Sequence, residues 1–222
     1  MTSTLVAPQI VINSRMLYYG WIPEDPDALA RLLPAGLRPI ANGQLFMNQY
    51  VVDAPEQTSG FGAYSLTYCG LDLDRTAPDG QTPSRWWTHY FNSAPDMRAY
   101  AAERGVPATP GRTTIELSGD TVTATTYSED TPVIRSTARI GAPGITASGQ
   151  LSYITEIGGR LVDGIYPWIA SLADPWEVTS LEFLEPGHSV YALRPKSPLE
   201  VTWGFYSPNA SFCYPGGEHA LS

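Results

Sequence analysis

Lysine is almost missing from this chain. Of the 13 basic side chains in 222 residues only Lys196 is a lysine and the rest are arginine, so chemistry that needs a side-chain primary amine has one candidate. Charge of either sign is also sparse, at 16% of residues against roughly 25% in an average soluble chain. With 43% hydrophobic residues, disorder driven by charge is excluded. The net charge of -9 repels the phosphate backbone that dominates nucleic-acid affinity and the anionic leaflet of a membrane, so neither partner is expected. No apolar run reaches the ~18 residues of a spanning helix. The opening Met1-Thr-Ser-Thr-Leu-Val-Ala-Pro8 lacks the basic start and apolar stretch of a secretory signal, and a cytoplasmic protein is expected. The cysteines, Cys69 and Cys213, show no CxxC or Cys/His spacing, which disfavours a zinc site and a disulfide framework; both are read as buried thiols. Walker, GxGxxG, GxSxG and HExxH motifs are absent as well.

What is present is punctuation. Twenty Gly and 20 Pro divide short runs of β-branched and aromatic residues, the pattern of a sheet-rich fold. Strands are predicted over 10–21, 44–52, 64–73, 86–91, 113–117, 121–127, 133–140, 150–157, 176–184 and 199–206, with Ser118-Gly-Asp120 as a hairpin turn. Their spacing suits an antiparallel meander, barrel or sandwich. Two helices are predicted. One is short, capped by Asp25 with Pro26 at its first position and limited by Pro34; the other runs from Ala94-Pro-Asp to Arg104, with Gly105 beyond it. Without a repeat, a linker or a shift in composition, residues 1–222 read as one mainly β (α+β) domain.

Three polar residues sit in apolar strands. Arg15 alternates with Asn13, Leu17, Tyr19 and Trp21, and a guanidinium in that company needs an ion-pair partner or a polar cavity. Gln49 alternates with Met47 and Val51, so its amide is expected to point inward and find partners, a ligand being one option. His89, in Trp86-Trp-Thr-His-Tyr-Phe91, shares a face with Trp87 and Phe91. It is a candidate acid or base and equally a hydrogen-bonded core histidine. His89, His188 and His219 are scattered, and no metal site is expected from them. Ser59-Gly-Phe-Gly-Ala-Tyr64 precedes a strand and reads as an inter-strand loop rather than a phosphate cradle.

Together these segments resemble the acetoacetate decarboxylase superfamily. The likeness rests on Asn13-Ser-Arg15 with the helix Asp25 to Leu37, on Ser59 to Tyr64, and on Tyr90 through Pro95 to Gly105-Val-Pro-Ala-Thr109. It weakens after about Thr121. The resemblance implies a closed antiparallel, double-barrel sheet around a central cavity that takes small carbonyl compounds, with two or three short helices. It allows a homo-oligomer, since sheet edges in this superfamily commonly pair between subunits. It also implies a Schiff-base lysine followed by a second lysine, but Ala108 and Thr109 stand there. The family's two pocket glutamates fall near Met47 and on Leu66, while its carboxylate-binding arginine matches Arg15. Lys196, between Pro195 and Pro198, reads as a solvated loop lysine, so a relocated imine and a Schiff-base decarboxylase are disfavoured.

The expectation is then a cofactor-independent enzyme for an apolar, polyketide-like carbonyl compound in secondary metabolism such as antibiotic biosynthesis. Cyclisation, pericyclic closure included, is the first reading; dehydration or retro-aldol lysis and non-catalytic binding are the alternatives. Arg15, Gln49 and His89 are the expected catalytic residues. Tyr19, Trp21, Met47, Tyr64, Leu66, Trp87 and Ala108 are the expected lining, with a small-molecule substrate as partner beside a possible homo-oligomer.

Overall fold

Alternation along the strands sets the architecture, because successive side chains serve opposite faces of a sheet. The computed structural model describes residues 3–221. In order they form β1 (Gln9–Trp21), α1 (Pro26–Ala30), β2 (Leu45–Val52), β3 (Tyr64–Thr76), β4 (Pro83–Asn92), α2 (Pro95–Ala102), β5 (Ala108–Ser118), β6 (Thr121–Ser128), β7 (Thr131–Ile157), β8 (Arg160–Phe183), β9 (Val201–Tyr214) and β10 (His219–Ala220). The order β10-β8-β7-β6-β5-β4-β3-β2-β1-β9 closes on itself through a β8–β9 pairing, and a β7–β4 pairing crosses the ring. The strand-rich closed sheet expected from the sequence is therefore present.

The cross-link divides the ring into two enclosures. Even-numbered residues of β2 and β3, such as Phe46, Tyr50, Leu66 and Tyr68, join one buried cluster with Trp87, Tyr90, Tyr153, Tyr166 and Phe205. Odd-numbered residues of the same strands, such as Leu45, Met47, Cys69 and Leu71, join a second cluster with Ile115, Val122, Ile134, Val178 and Leu181. Strands β1 to β3 are thus covered on both faces. The β7–β8 hairpin serves both enclosures: its near half pairs with β6, and its far half reaches β4 and β9.

Several expectations need correction. The two strands predicted over 133–140 and 150–157 are one 27-residue strand, β7. The first half of β8 and the whole of β10 had no counterpart in the sequence reading, since Gly164, Pro167 and Pro175 interrupt the pattern. Nor is the sheet purely antiparallel, because β4 runs parallel to β5 and to β7. The helices hold: Asp25 Oδ1 accepts from the Ala28 N–H at 2.8 Å, and α2 starts at Pro95. Cys69 is buried as expected, whereas Cys213 is half-buried. No helix among the described residues is long and apolar enough to cross a membrane.

Candidate functional site

The two enclosures differ in filling. The second is a packed core in which Gln49, Tyr19 and Trp21 find protein partners. Gln49 Nε2 donates to Thr126 Oγ1 at 3.0 Å and its Oε1 accepts from Ser136 Oγ at 2.7 Å; the same Ser136 meets the Tyr19 hydroxyl at 2.7 Å. Trp21 Nε1 donates to the Leu193 carbonyl at 2.9 Å, and Met47 is packed among apolar neighbours. Five expected site residues are therefore corrected. Gln49, Tyr19, Trp21 and Met47 belong to this closed core, where protein partners take the role assigned to a ligand. Arg15 stands at the sheet end, where Nη2 and Nε hold Asp53 at 2.5 and 2.9 Å and Nη1 donates to the Ile115 carbonyl. It is an ion pair, the outcome the sequence left open.

His89 is corrected too. Its ring nitrogens meet Thr88 Oγ1 and Ser189 Oγ, each at 3.0 Å, and the ring stacks on Phe91. Burial, aided by His188, pushes its pKa down to about 4, too low for a base matched to neutral pH. The strict alternation read from the sequence fails at Thr88. Cys69 pairs with His89 but Gly70 pairs with Trp87, which leaves Thr88 as an extra residue. Trp87 and Tyr90 consequently face one enclosure, while His89 and Phe91 face the other way.

The first enclosure holds a cavity. Tyr50, Leu66, Trp87, Tyr90 and Tyr153 come from strands β2, β3, β4 and β7; Met97, Tyr100 and Ala101 come from α2. Gln9 and Tyr214 complete the wall, and Arg104, Gly216 and Glu218 form its polar end. It is a narrow slot of about 30 Å³ walled by ring faces. Trp87 stacks on Tyr153 at 4.9 Å, and its buried indole N–H has no partner among the described residues. Of the expected lining, Leu66 and Trp87 line the slot. Tyr64 lies directly behind it, taking a hydrogen bond from Gln9 at 2.7 Å and meeting the Tyr50 hydroxyl at 3.1 Å. Ala108 packs at the margin of the same cluster and pairs with Tyr90.

Sequence reading missed the polar parts of this site. At one end Glu218 accepts from the Tyr153 hydroxyl at 2.9 Å and lies 3.7 Å from Arg104 Nε, while the Arg104 guanidinium covers Tyr100 at 3.5 Å. Behind the slot is a buried ion pair. Arg85 Nε donates to Asp72 Oδ1 at 2.7 Å, Gln44 donates to the other carboxylate oxygen, and Arg85 Nη1 donates to the Tyr18 hydroxyl. The guanidinium packs on the Tyr18, Phe46 and Trp203 rings at 5.2, 4.6 and 4.8 Å. Burial pushes Asp72 up to about 6, against donors Gln44 and Trp203, and pushes Arg85 down to about 10. Their sequence signal was faint, because Asp72 is followed by Asp74 and Arg75 and Arg85 follows Ser84 at the edge of the predicted strand. Lys196 is remote from the slot, with Glu200 as its surface ion-pair partner.

No family model matches the sequence, and no curated protein matches it. Solved structures do match in fold. Acetoacetate decarboxylase from Legionella pneumophila superimposes with a TM-score of 0.74 at 12% identity, over 100% of this chain and 90% of that one. The enduracididine biosynthesis enzyme MppR, solved with pyruvate, gives 0.67 at 15% identity, over 99% and 92%. An acetoacetate decarboxylase-like enzyme from Sphingomonas wittichii gives 0.63 at 15%, over 100% and 98%. The chain has the acetoacetate decarboxylase-like fold.

Proposed function

We propose that this protein is an enzyme that binds a flat, largely apolar carbonyl compound in the slot and closes a ring in it, polarising the carbonyl by hydrogen bonds rather than through an imine. The observation that carries this reading is the content of the cavity: ring faces and tyrosine hydroxyls, with Ala108 at its margin and the only lysine paired with Glu200 on the surface. An imine needs a primary amine near the carbonyl. Hydroxyls and an indole N–H held in a pre-formed wall can instead stabilise charge that develops on oxygen, and stacked rings hold a flexible chain in a reactive fold. Support for a carbonyl ligand comes from MppR, which was solved with pyruvate and with the condensation product of pyruvate and imidazole 4-carboxaldehyde. That neighbour's part in enduracididine biosynthesis supports a place in secondary metabolism.

Glu218 favours a second reading. Its carboxylate is the acidic group that lines the slot, and a carboxylate beside a bound β-hydroxy ketone can take the α-proton while the β-hydroxyl leaves with a proton as water. A panel of linear aryl, polyene and β-hydroxy ketones separates the readings by product. Cyclisation gives an isomer of unchanged mass with a new NMR spectrum, dehydration gives the loss of one water, and a binding protein returns the ketone intact. Borohydride with acetoacetate should leave the protein mass unchanged; a covalent adduct would overturn the imine-free reading.

A further inference from the structure

Buried polar atoms without a partner are few in a folded protein, and each calls for an explanation. Among the described residues, two such atoms belong to side chains that line the slot: Nε1 of Trp87 and Nε of Arg104. Both are donors only. Tyr153 stacks on the Trp87 ring at 4.9 Å and Tyr68 lies tilted against it at 5.0 Å. An indole N–H points along its own ring plane, so neither of these ring faces accepts from it. Arg104, just past α2, donates through Nη1 to the Tyr100 carbonyl at 3.0 Å. Its Nε lies 3.7 Å from Glu218 Oε1, beyond hydrogen-bond range, and that oxygen already accepts from the Tyr153 hydroxyl.

These two atoms decide what a ligand must bring. The slot has room for roughly one or two waters, so a ligand enters as its walls part. The tyrosine hydroxyls it meets can give or accept a proton and show no preference between donors and acceptors. Trp87 and Arg104 do have a preference. Each gains a hydrogen bond from an acceptor without giving one up, which removes the cost of a buried unpaired donor. One acceptor oxygen serves Trp87 among the rings, and a second serves Arg104 at the polar end. That second oxygen is neutral, because Glu218 already faces the guanidinium and repels a further carboxylate at this range.

We propose that the slot takes a neutral dicarbonyl compound, with one ketone oxygen accepting from Trp87 Nε1 and the other from Arg104 Nε. The inference rests on the slot being a carbonyl site, and it names the class of carbonyl compound. It explains why a donor-only indole edge is left unpaired in a wall whose ring faces are packed, and why the carboxylate nearest Arg104 balances its charge without bonding to its Nε.

The test uses the full chain and titration calorimetry. It compares 1-phenyl-1,3-butanedione with butyrophenone, and 1-phenyl-1,4-pentanedione with valerophenone; each pair shares a skeleton and differs in the second oxygen. At least one dione should bind roughly tenfold tighter than its monoketone, the worth of a hydrogen bond from a charged donor. Arg104→Met should bring that dione down to the level of its monoketone. The anion 3-benzoylpropionate, with a carboxylate in place of the acetyl group of the pentanedione, should bind no tighter than valerophenone. Trp87 is read in the unmodified protein, labelled with ¹⁵N at its indoles. One indole N–H resonance should move downfield with butyrophenone relative to butylbenzene, which brings the ring without the oxygen, and Trp87→Phe should lack that resonance. Diones no tighter than their monoketones, or an advantage that survives Arg104→Met, overturn the dicarbonyl and spare the carbonyl site. Tighter binding of 3-benzoylpropionate overturns the neutral class, and indole resonances indifferent to the ketone oxygen overturn the role of Trp87. Failure of all four ketones to bind overturns the carbonyl site itself.

Discussion

The half-buried imidazole of His89, stacked on Phe91, makes the fold sensitive to acid. Burial and the neighbouring His188 push His89 down to about 4, whereas an unfolded histidine titrates near 6.5. Between those values the unfolded chain binds a proton that the folded chain refuses. The contribution is complete above about pH 6.5 and is lost as pH falls toward 4, at about 1.4 kcal/mol per pH unit and no more than about 3.4 kcal/mol in all. His89→Gln can still bond to the Thr88 and Ser189 hydroxyls but cannot be protonated, so its urea stability should change less over this range. An unchanged slope would place the acid sensitivity elsewhere. Residue identity told part of this story in advance. A polar residue in an apolar strand is legible as a question, and Arg15, Gln49 and His89 were each answered by protein partners. The same question was not asked of Arg85 and Asp72, whose flanking residues include other polar side chains that dilute the contrast.

Elements were legible where periodicity had contrast and illegible where it had none. The first helix carried its Asp25 cap in the sequence and the second its leading Pro95 and trailing Gly105, and most strands carried their turn residues. In β1 to β3, however, both faces are largely buried, so apolar residues stand at even and odd positions alike and parity does not say which face meets the slot. Two irregularities complicate it further. Asn13, at φ +54°, lies in a register break of β1 that puts Val11 and Met16 in the same cluster. The extra Thr88 does the same for Trp87 and Tyr90. The second irregularity depends on a glycine opposite it, because a Cβ on Gly70 would come 1.8 Å from the Trp86 carbonyl oxygen. Gly70→Ala must therefore push β3 and β4 apart where Trp87 enters the slot. The expected loss is about 2–4 kcal/mol in urea unfolding, the range of a severe packing defect, with a changed near-ultraviolet circular dichroism from the Trp87–Tyr153 stack. A variant with native stability and spectrum would mean that the backbone here has room to spare.

At the scale of the whole molecule, one enclosure supplies rigidity and the other supplies space, and the chain beyond β9 closes the space. After Tyr214 it turns through Gly216 and Gly217, both at φ +76°, lays Gly216 and Glu218 against the slot, and pairs His219 and Ala220 with β8. The strap is held by few groups: the Tyr153 hydrogen bond, the Arg104 ion pair and the contact of Leu221 with the small cluster of Leu37, Leu73 and Ile154. A hydrogen bond to a charged group is worth about 1.5–3 kcal/mol, enough to slow opening by roughly tenfold or more. A chain ending at Tyr214 should keep its fold, since the closed ring does not include β10, with a Tm lower by about 2–4 °C for each kcal/mol lost. Acetophenone, followed by quenching of Trp87 fluorescence, should then enter and leave roughly tenfold faster at a similar affinity. Glu218→Gln keeps an acceptor for Tyr153 but drops the attraction to Arg104, and should fall between the two. Equal rates in all three proteins would show that ligand reaches the slot by another route, between α2 and the strands that carry Tyr90 and Leu66.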